Sequence, residues 1–216
     1  MGLVDPLCRF FNCSRPIKTV LDIGANTGES IYRFRKIWPD AKIYSFEPRA
    51  AAFEKLFDVA ADDGNCEVFN LALGEENKET RMQEYEKQWG GSSLLSGTDL
   101  LRESRSQWAK DWHWVDVKMA RLDDLMLELE PDMFIKVDVQ SYQDFVIRGG
   151  LKTFAAAEAC LIEIYFEECY EGSGTVSSAE NLLVPIGFRM TGMPRVVRRG
   201  KAQLHTWSDV LWEKML

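Results

Sequence analysis

Four residues near the start of the chain have the types and spacing to bind a nucleoside. Gly24, Asn26 and Gly28 follow an apolar run, and glycine lets a backbone turn tightly and approach a ligand closely. Glu47 lies further along, after a second apolar run. In a β-α-β unit this is where a carboxylate accepts hydrogen bonds from ribose hydroxyls. The segment therefore predicts a nucleoside-binding turn.

The acid at position 22 separates two classes of nucleoside ligand. The dinucleotide pattern G-x-G-x-x-G needs glycine where this chain has Asn26, and a pyrophosphate binds best where no negative charge is near. Asp22 suits a cationic ligand instead, and S-adenosylmethionine carries an ammonium and a sulfonium group. The D-x-G-x-N-x-G pattern therefore favours this methyl donor over a nicotinamide cofactor. The alternative is a tight turn that binds nothing.

Short apolar runs alternate with helical patterns along most of the chain. Strands are predicted at 19–23, 42–46, 66–71, 133–138 and 159–164. This order predicts an α/β protein with a doubly wound, mostly parallel sheet, whose ligand crevice lies at the carboxyl ends of the strands. Two further strands, at 187–190 and 203–212, have no helix between them and predict a C-terminal antiparallel β-hairpin. We expect a single domain, 1–216, with an irregular insertion on the substrate side at about 75–117.

The overall composition limits the classes of partner that the protein can bind. Hydrophobic residues make up 46% and charged residues 28% of the chain, as in soluble globular proteins. The formal net charge of −8 argues against broad contact with nucleic acid, and no apolar run reaches the roughly 20 residues that span a membrane.

The N-terminus does not read as a signal peptide. The five cysteines show no paired spacing, so we expect no zinc site or disulfide framework and a cytoplasmic location. The oligomeric state stays open.

Several segments together resemble the FkbM methyltransferases. The likeness runs from about residue 19 to 171, and the segments come in the family's order: 20–28, 45–48, 91–95, 121–125 and 134–149. The resemblance implies a Rossmann-like class I methyltransferase fold. It also implies transfer of a methyl group from S-adenosylmethionine to a hydroxyl of a small molecule, sugar or glycoconjugate. The expected donor-binding residues are Asp22, Gly24, Asn26, Gly28 and Glu47, with Asn70 or Ala72 beside the adenine.

The chain departs from the family in the segment that faces the substrate. The family usually has D-V-E-G-x-E, whereas residues 138–143 read D-V-Q-S-Y-Q. Glutamine keeps the shape of glutamate but cannot take up a proton or balance a cation. Asp138 and Glu163 are therefore the candidates for a general base or for ligands of a divalent metal, with His113 as a third candidate base. Alternatively, Asp138 caps a helix, Glu163 is an ordinary strand-end acid, and the protein binds the donor without catalysis.

Aromatic and basic residues suggest how an acceptor could be bound. Four tryptophans of the insertion could stack on a sugar ring or simply pack the insertion onto the sheet. They are Trp89, Trp108, Trp112 and Trp114. A basic loop near the C-terminus could contact a phosphate-bearing substrate or form a solvated hairpin tip. Its residues are Arg195, Arg198, Arg199 and Lys201.

We expect the protein to bind S-adenosylhomocysteine more tightly than NAD, because Asp22 and Asn26 disfavour a pyrophosphate at the glycine turn. Isothermal titration calorimetry with both ligands measures the two affinities directly. Tighter binding of NAD would replace the methyltransferase interpretation with that of an oxidoreductase.

Overall fold

The computed structural model describes residues 5–86, 89–104, 111–199 and 204–215. The strands in this part of the chain are β1 (Thr19–Ile23), β2 (Lys42–Phe46), β3 (Cys66–Phe69), β4 (Ala72–Leu73), β5 (Lys78–Tyr85), β6 (Trp112–Ala120), β7 (Met133–Val137), β8 (Ala159–Tyr165), β9 (Phe188–Arg199) and β10 (Leu204–Lys214). The α-helices are α1 (Glu29–Ile37), α2 (Ala50–Asp63), α3 (Asp99–Ser104), α4 (Gln143–Gly149), α5 (Leu151–Ala156) and α6 (Val176–Leu183).

The central sheet has seven strands in the order β3-β2-β1-β7-β8-β10-β9. Strands β3, β2, β1, β7 and β8 pair in parallel, and β10 pairs antiparallel with both β8 and β9. The expected doubly wound, mostly parallel sheet with a C-terminal hairpin is confirmed. The order along the chain reverses at β1, which is where a ligand crevice forms in such sheets.

Strand β1 lies between β2 and β7 in the sheet, and both of its faces are covered. All five of its residues are buried, as expected for a parallel strand between two helical layers. One face contributes Leu21 and Ile23 to a core with α4 and α6, and the other packs Val20 against α1. The register places Ile23 opposite Phe46 of β2 and Val137 of β7. The residues that follow these three strands therefore meet at one edge of the sheet.

The insertion is more regular than the sequence indicates. Strands β4, β6 and β5 form a second, three-stranded sheet, and β5 pairs antiparallel with β6 in an unbroken register. Strand β5 is mostly polar, so it has no clear apolar alternation. Its pairing is stabilised from the partner strand, where Val117 and Met119 are buried together with Met82 of β5.

The cysteine expectation is corrected at the N-terminus. Cys8 and Cys13 form a disulfide, so the absence of paired C-x-x-C spacing did not exclude a bridge. Between these cysteines, Phe11 is buried against Trp38 and Phe134. Within the described residues, no helix is long and apolar enough to cross a membrane.

We expect Phe134→Ala to lower the free energy of unfolding by about 3–5 kcal/mol, because a large side chain is removed from the core. Phe134 is fully buried, and its ring lies 5.0 Å from that of Trp38 between ring centroids. Phe57→Ala is the matched control, since 58% of Phe57 is exposed. Urea denaturation measures both variants, and equal losses would show that Phe134 does not anchor this core.

Candidate active site

The turn after β1 is built on left-handed backbone conformations. Gly24, Asn26 and Gly28 have φ angles of +84°, +51° and +88°. The amides of Gly24 and Ala25 both donate to the carbonyl of Phe46 at 3.0 Å, which ties the turn to the end of β2. A Cβ atom at Gly24 would overlap the carbonyl oxygen of Asp138. The glycine is therefore required by the protein's own backbone, so a substitution at Gly24 would disturb the fold as well as ligand binding.

Glu47 lies at the end of β2 and faces this turn. Its Oε2 accepts a hydrogen bond from the Asn26 amide at 2.9 Å, and its Oε1 accepts from the amide and Nε of Arg49, both at 3.0 Å. Glu47 and Arg49 are almost completely buried. Burial raises the pKa of Glu47 above its ordinary value, although the Arg49 charge acts in the opposite direction. A carboxylate has about four acceptor positions, so one position on Oε2 is left for a ligand hydroxyl.

A cleft opens between these residues and the end of β7. Its described lining residues are Ile23, Gly24, Asn26, Phe46, Glu47, Pro48, Arg49, Leu71, Ala72, Leu73, Met82, Gly90, Ser92, Leu94, Asp138, Val139, Gln140 and Tyr142. The lining is mainly apolar with a few polar groups, as is typical of small-molecule sites. Several of the lining residues belong to the second sheet and to the segment between β5 and β6, which therefore cover one side of the cleft.

The residues expected beside the adenine take different positions. Ala72 lines the cleft, whereas Asn70 is not among the lining residues. The Asn70 side-chain amide donates to the carbonyl oxygens of Glu47 at 2.9 Å and Pro48 at 3.0 Å. Asn70 therefore stabilises the chain around Glu47, and Ala72 leaves room at the wall of the cleft.

Asp22 does not line the cleft, although the sequence places it in the donor site. It is fully buried, its Oδ1 lies 3.2 Å from Lys136 Nζ, and its Oδ2 accepts from the Ser30 hydroxyl. Burial lowers the pKa of Lys136, but Asp22 and Asp138 outweigh this and raise it above its ordinary value. The charge of Asp22 is thus compensated by a protonated lysine of the protein itself.

Asp138 and Glu163 lie close to one another at the ends of β7 and β8. A single side-chain nitrogen, Gln140 Nε2, is 2.9 Å from both Asp138 Oδ1 and Glu163 Oε1. Asp138 Oδ2 is 3.7 Å from Lys136 Nζ. Burial raises the pKa of Glu163 well above its ordinary value, and the nearby carboxylates of Asp138 and Asp209 raise it further. Glu163 therefore tends to keep its proton.

The surroundings of Asp138 and Glu163 do not fit a divalent metal. The described residues contain no group of three or more histidine, cysteine, aspartate or glutamate side chains arranged to hold one. The nitrogen that lies between the two acids donates hydrogen bonds, whereas a metal site needs electron-pair donors facing the ion. We therefore derive no step through a metal.

His113 lies away from the cleft. It belongs to β6, about half of its side chain is exposed, and its ring nitrogens are 3.5 Å from Glu84 and 3.7 Å from Glu86. It is not among the residues that line the cleft. The geometry therefore brings together Asp138 and Glu163 but leaves His113 on the second sheet.

The aromatic and basic candidates are only partly described. Trp112 and Trp114 are both exposed on β6 and meet edge to face, with ring centroids 5.7 Å apart. Arg195 lies over the Trp207 ring at 4.7 Å. The remaining candidates lie outside the described residues or outside the described side chains: Trp89, Trp108, Arg198, Arg199 and Lys201.

Four residues in and around the site were missed or misjudged from the sequence. Arg49 follows Glu47 by two positions, and Lys136 interrupts an otherwise apolar strand, so a buried ion pair could have been inferred for each. The contacts of Gln140 could not have been inferred from the sequence, because they depend on a left-handed turn. Gln143 is fully buried in α4, and its amide has no hydrogen-bond partner among the described residues.

Comparison with known proteins decides the family. The family model described as a methyltransferase FkbM domain matches residues 22–190. The chain belongs to the FkbM methyltransferase family. It is an S-adenosylmethionine-dependent methyltransferase.

Individual relatives agree with this assignment. The FkbM protein described here is 31% identical over 185 residues to the 2-O-methyltransferase NoeI of Sinorhizobium fredii, covering 78% of this chain and 72% of the relative. The solved structure of an FkbM methyltransferase from Methylobacillus flagellatus has a TM-score of 0.59 at 13% identity, over 91% of this chain and 43% of that one. A precorrin-6y C5,15-methyltransferase from Geobacter metallireducens has a TM-score of 0.50 at 10% identity, over 97% and 85% of the two chains. These two structures show the fold alone.

We expect Glu47→Gln to weaken binding of S-adenosylhomocysteine by about 1.5–3 kcal/mol, the range for losing a hydrogen bond to a charged acceptor. An analogue that lacks both ribose hydroxyls should bind parent and variant equally. Calorimetry measures the affinities, and thermal denaturation checks that the variant is folded.

Glu67→Gln is the control, because it removes one negative charge from an exposed position on the neighbouring strand β3. Equal affinity of Glu47→Gln and the parent for S-adenosylhomocysteine would exclude Glu47 from the ribose site.

Proposed function

We propose that this chain transfers the methyl group of S-adenosylmethionine to a hydroxyl of a small or sugar-containing acceptor, with Asp138 as general base. The family supports methyl transfer, and the name of the relative NoeI supports an oxygen acceptor. The acceptor class itself rests on the resemblance to the FkbM family.

The donor fits the cleft at three places. Glu47 keeps one acceptor position on Oε2 for a ribose hydroxyl, and Ala72 leaves space at the wall near it. Gly24 and Asn26 form the floor next to Asp138. In this arrangement Gly28 serves the turn into α1, since its side-chain position is filled by Val59 and Leu56.

The exposure of Asp138 is the observation that carries the proposal. Glu47 and Asp138 are the only acids among the cleft residues that the structure describes, and Glu47 is already bound by Arg49 and Asn26. The Asp138 side chain is 32% exposed. It is therefore the carboxylate that an incoming hydroxyl group can reach.

The chemistry requires an acceptor for one proton. S-adenosylmethionine supplies an electrophilic methyl group, whose transfer to a hydroxyl oxygen releases that proton. Asp138 takes up this proton. Lys136 Nζ lies 3.7 Å from Asp138 Oδ2 and helps to hold the carboxylate in place. Alignment of the reacting atoms contributes most of the acceleration, and a general base typically adds about 10²–10⁴-fold. Glu163 is not among the residues that line the cleft, and burial and the neighbouring carboxylates raise its pKa well above the ordinary value.

The proposal about the acceptor's charge rests on the sequence. The net charge of −8 supports an acceptor other than nucleic acid. A cytoplasmic location was inferred from unpaired cysteines, and the Cys8–Cys13 disulfide removes that support.

We expect Asp138→Asn to lower the turnover number by at least about a hundredfold, because the amide keeps the shape of the carboxylate but cannot take up the proton. The affinity for S-adenosylhomocysteine should change little. Transfer from tritiated S-adenosylmethionine to a panel of glycosides and oligosaccharides measures turnover, and calorimetry measures affinity. Asp116→Asn, in an exposed position on β6, is the control.

Normal turnover by Asp138→Asn would rule out Asp138 as the base. Loss of parent activity on addition of EDTA would contradict a base that works without a metal. A parent protein that binds the donor but methylates no hydroxyl in the panel would favour the alternative of a donor-binding protein.

A further inference from the structure

Gln140 is held in a strained turn at the carboxyl end of β7. Gln140 and Ser141 have φ angles of +49° and +74°, which residues with side chains seldom adopt. Such strain persists where the surrounding structure imposes it, and it is concentrated at functional sites. Here the Ser93 hydroxyl, from the segment after β5, donates to the Gln140 main-chain carbonyl at 2.7 Å. The turn directs the Gln140 side chain towards the neighbouring strand β8.

The amide nitrogen of Gln140 connects two acids. Nε2 lies 2.9 Å from Asp138 Oδ1 and 2.9 Å from Glu163 Oε1. A primary amide has two N–H groups, so it can donate one hydrogen bond to each carboxyl group. Asp138 follows β7 and Glu163 belongs to β8, so this one side chain joins the acids of two adjacent strands.

The other end of the amide is fixed by tyrosine hydroxyls. Gln140 Oε1 accepts from Tyr165 at 2.8 Å and is 3.4 Å from the hydroxyl of Tyr170. Both tyrosines are buried, as is Gln140. With the carbonyl oxygen held by these donors, the N–H groups must face the acids. Rotation of the amide by 180° would place its single oxygen next to both carboxyl groups and leave the tyrosine hydroxyls facing N–H groups.

An amide at position 140 can therefore donate a hydrogen bond to each of the two acids, which a carboxylate could not do. A glutamate at position 140 would place a third carboxyl group beside Asp138 and Glu163 and would remove both donors. A negative charge close to a carboxyl group raises the pKa of that group. Lys136 and Asp209 are the other charged groups that act on the acid pair directly. Asp22 in turn acts on Lys136, and Arg195 and Arg33 act on Asp209.

We propose that Gln140 is a positioning residue whose amide, oriented by Tyr165, holds the Asp138 carboxylate in the geometry that methyl transfer requires. The proposal rests on the proposed function, because it assigns the base to Asp138. It adds a requirement for an amide at position 140, where the FkbM family usually has glutamate.

The test compares pH profiles of kcat/KM for the parent, Gln140→Glu and Tyr165→Phe. Gln140→Glu should move the acid limb of the profile upwards by about one pH unit or more, because Asp138 then ionises less readily. Tyr165→Phe should lower kcat about threefold to tenfold, as expected for one lost hydrogen bond, and should leave KM nearly unchanged. Tyr44→Phe is the matched control, since the buried Tyr44 donates to the Glu128 carbonyl, away from the cleft. It should behave like the parent.

A second measurement does not depend on activity. Carboxyl-carbon NMR titration of protein labelled at aspartate and glutamate follows Asp138 directly, with Asp138→Asn and Glu163→Gln used to assign the resonances. Gln140→Glu should raise the pKa of Asp138, and Tyr165→Phe should move it in the same direction by less. Unchanged resonances and pH profiles in folded variants would overturn the role of Gln140. If the resonance moves while Asp138→Asn turns over normally, the hydrogen-bond assignment stands and the base assignment fails.

Discussion

The close contact between the turn after β1 and the main chain after β7 determines the geometry of the whole site. The Asp138 amide donates to the Ile23 carbonyl at 2.8 Å, which extends the parallel pairing by one residue. Gly24 then lies directly against the Asp138 carbonyl, where no side chain would fit. Because the same turn donates to Phe46 at the end of β2, the positions of Glu47 and Asp138 are linked through Gly24. The proposed ribose-binding acid and the proposed base are thus set by one backbone contact.

The acidic residues at this edge of the sheet are held in different ways, and this separates their roles. Asp22 is fully buried and paired with Lys136, so its charge is balanced within the protein. Glu47 is buried too, but it keeps an acceptor position at the cleft. Burial and neighbouring carboxylates raise the pKa of Glu163 well above its ordinary value. Among these described acids, only Asp138 has a partly exposed carboxylate at the cleft, which is why we propose it as the base for the hydroxyl proton.

Much of the fold could be read from the sequence, because parallel strands buried on both faces are continuous apolar runs. The expected strand at 19–23 and the expected strand at 42–46 have the same limits in the structure. The second sheet was missed because β5 is mostly polar and is stabilised by pairing with β6, across 26 residues of intervening chain. Pairing over such a separation leaves no local pattern in β5 itself.

The site was predictable where it depends on spacing and unpredictable where it depends on side-chain direction. Gly24, Asn26 and Glu47 meet because strand order and register bring them together. Asp22 was assigned to the ligand on its charge, but the structure directs it to Lys136, and only the lysine inside the strand hinted at this. The contacts of Gln140 depend on two left-handed residues without glycine, which no local pattern indicates.

The crystal structure of the protein with S-adenosylhomocysteine and a methylatable glycoside tests the central claim most directly. We expect the acceptor hydroxyl oxygen within hydrogen-bond distance of Asp138, about 2.6–3.2 Å, and the ribose hydroxyls at Glu47 Oε2. An acceptor hydroxyl bound by Glu163 or His113, with Asp138 out of reach, would contradict it.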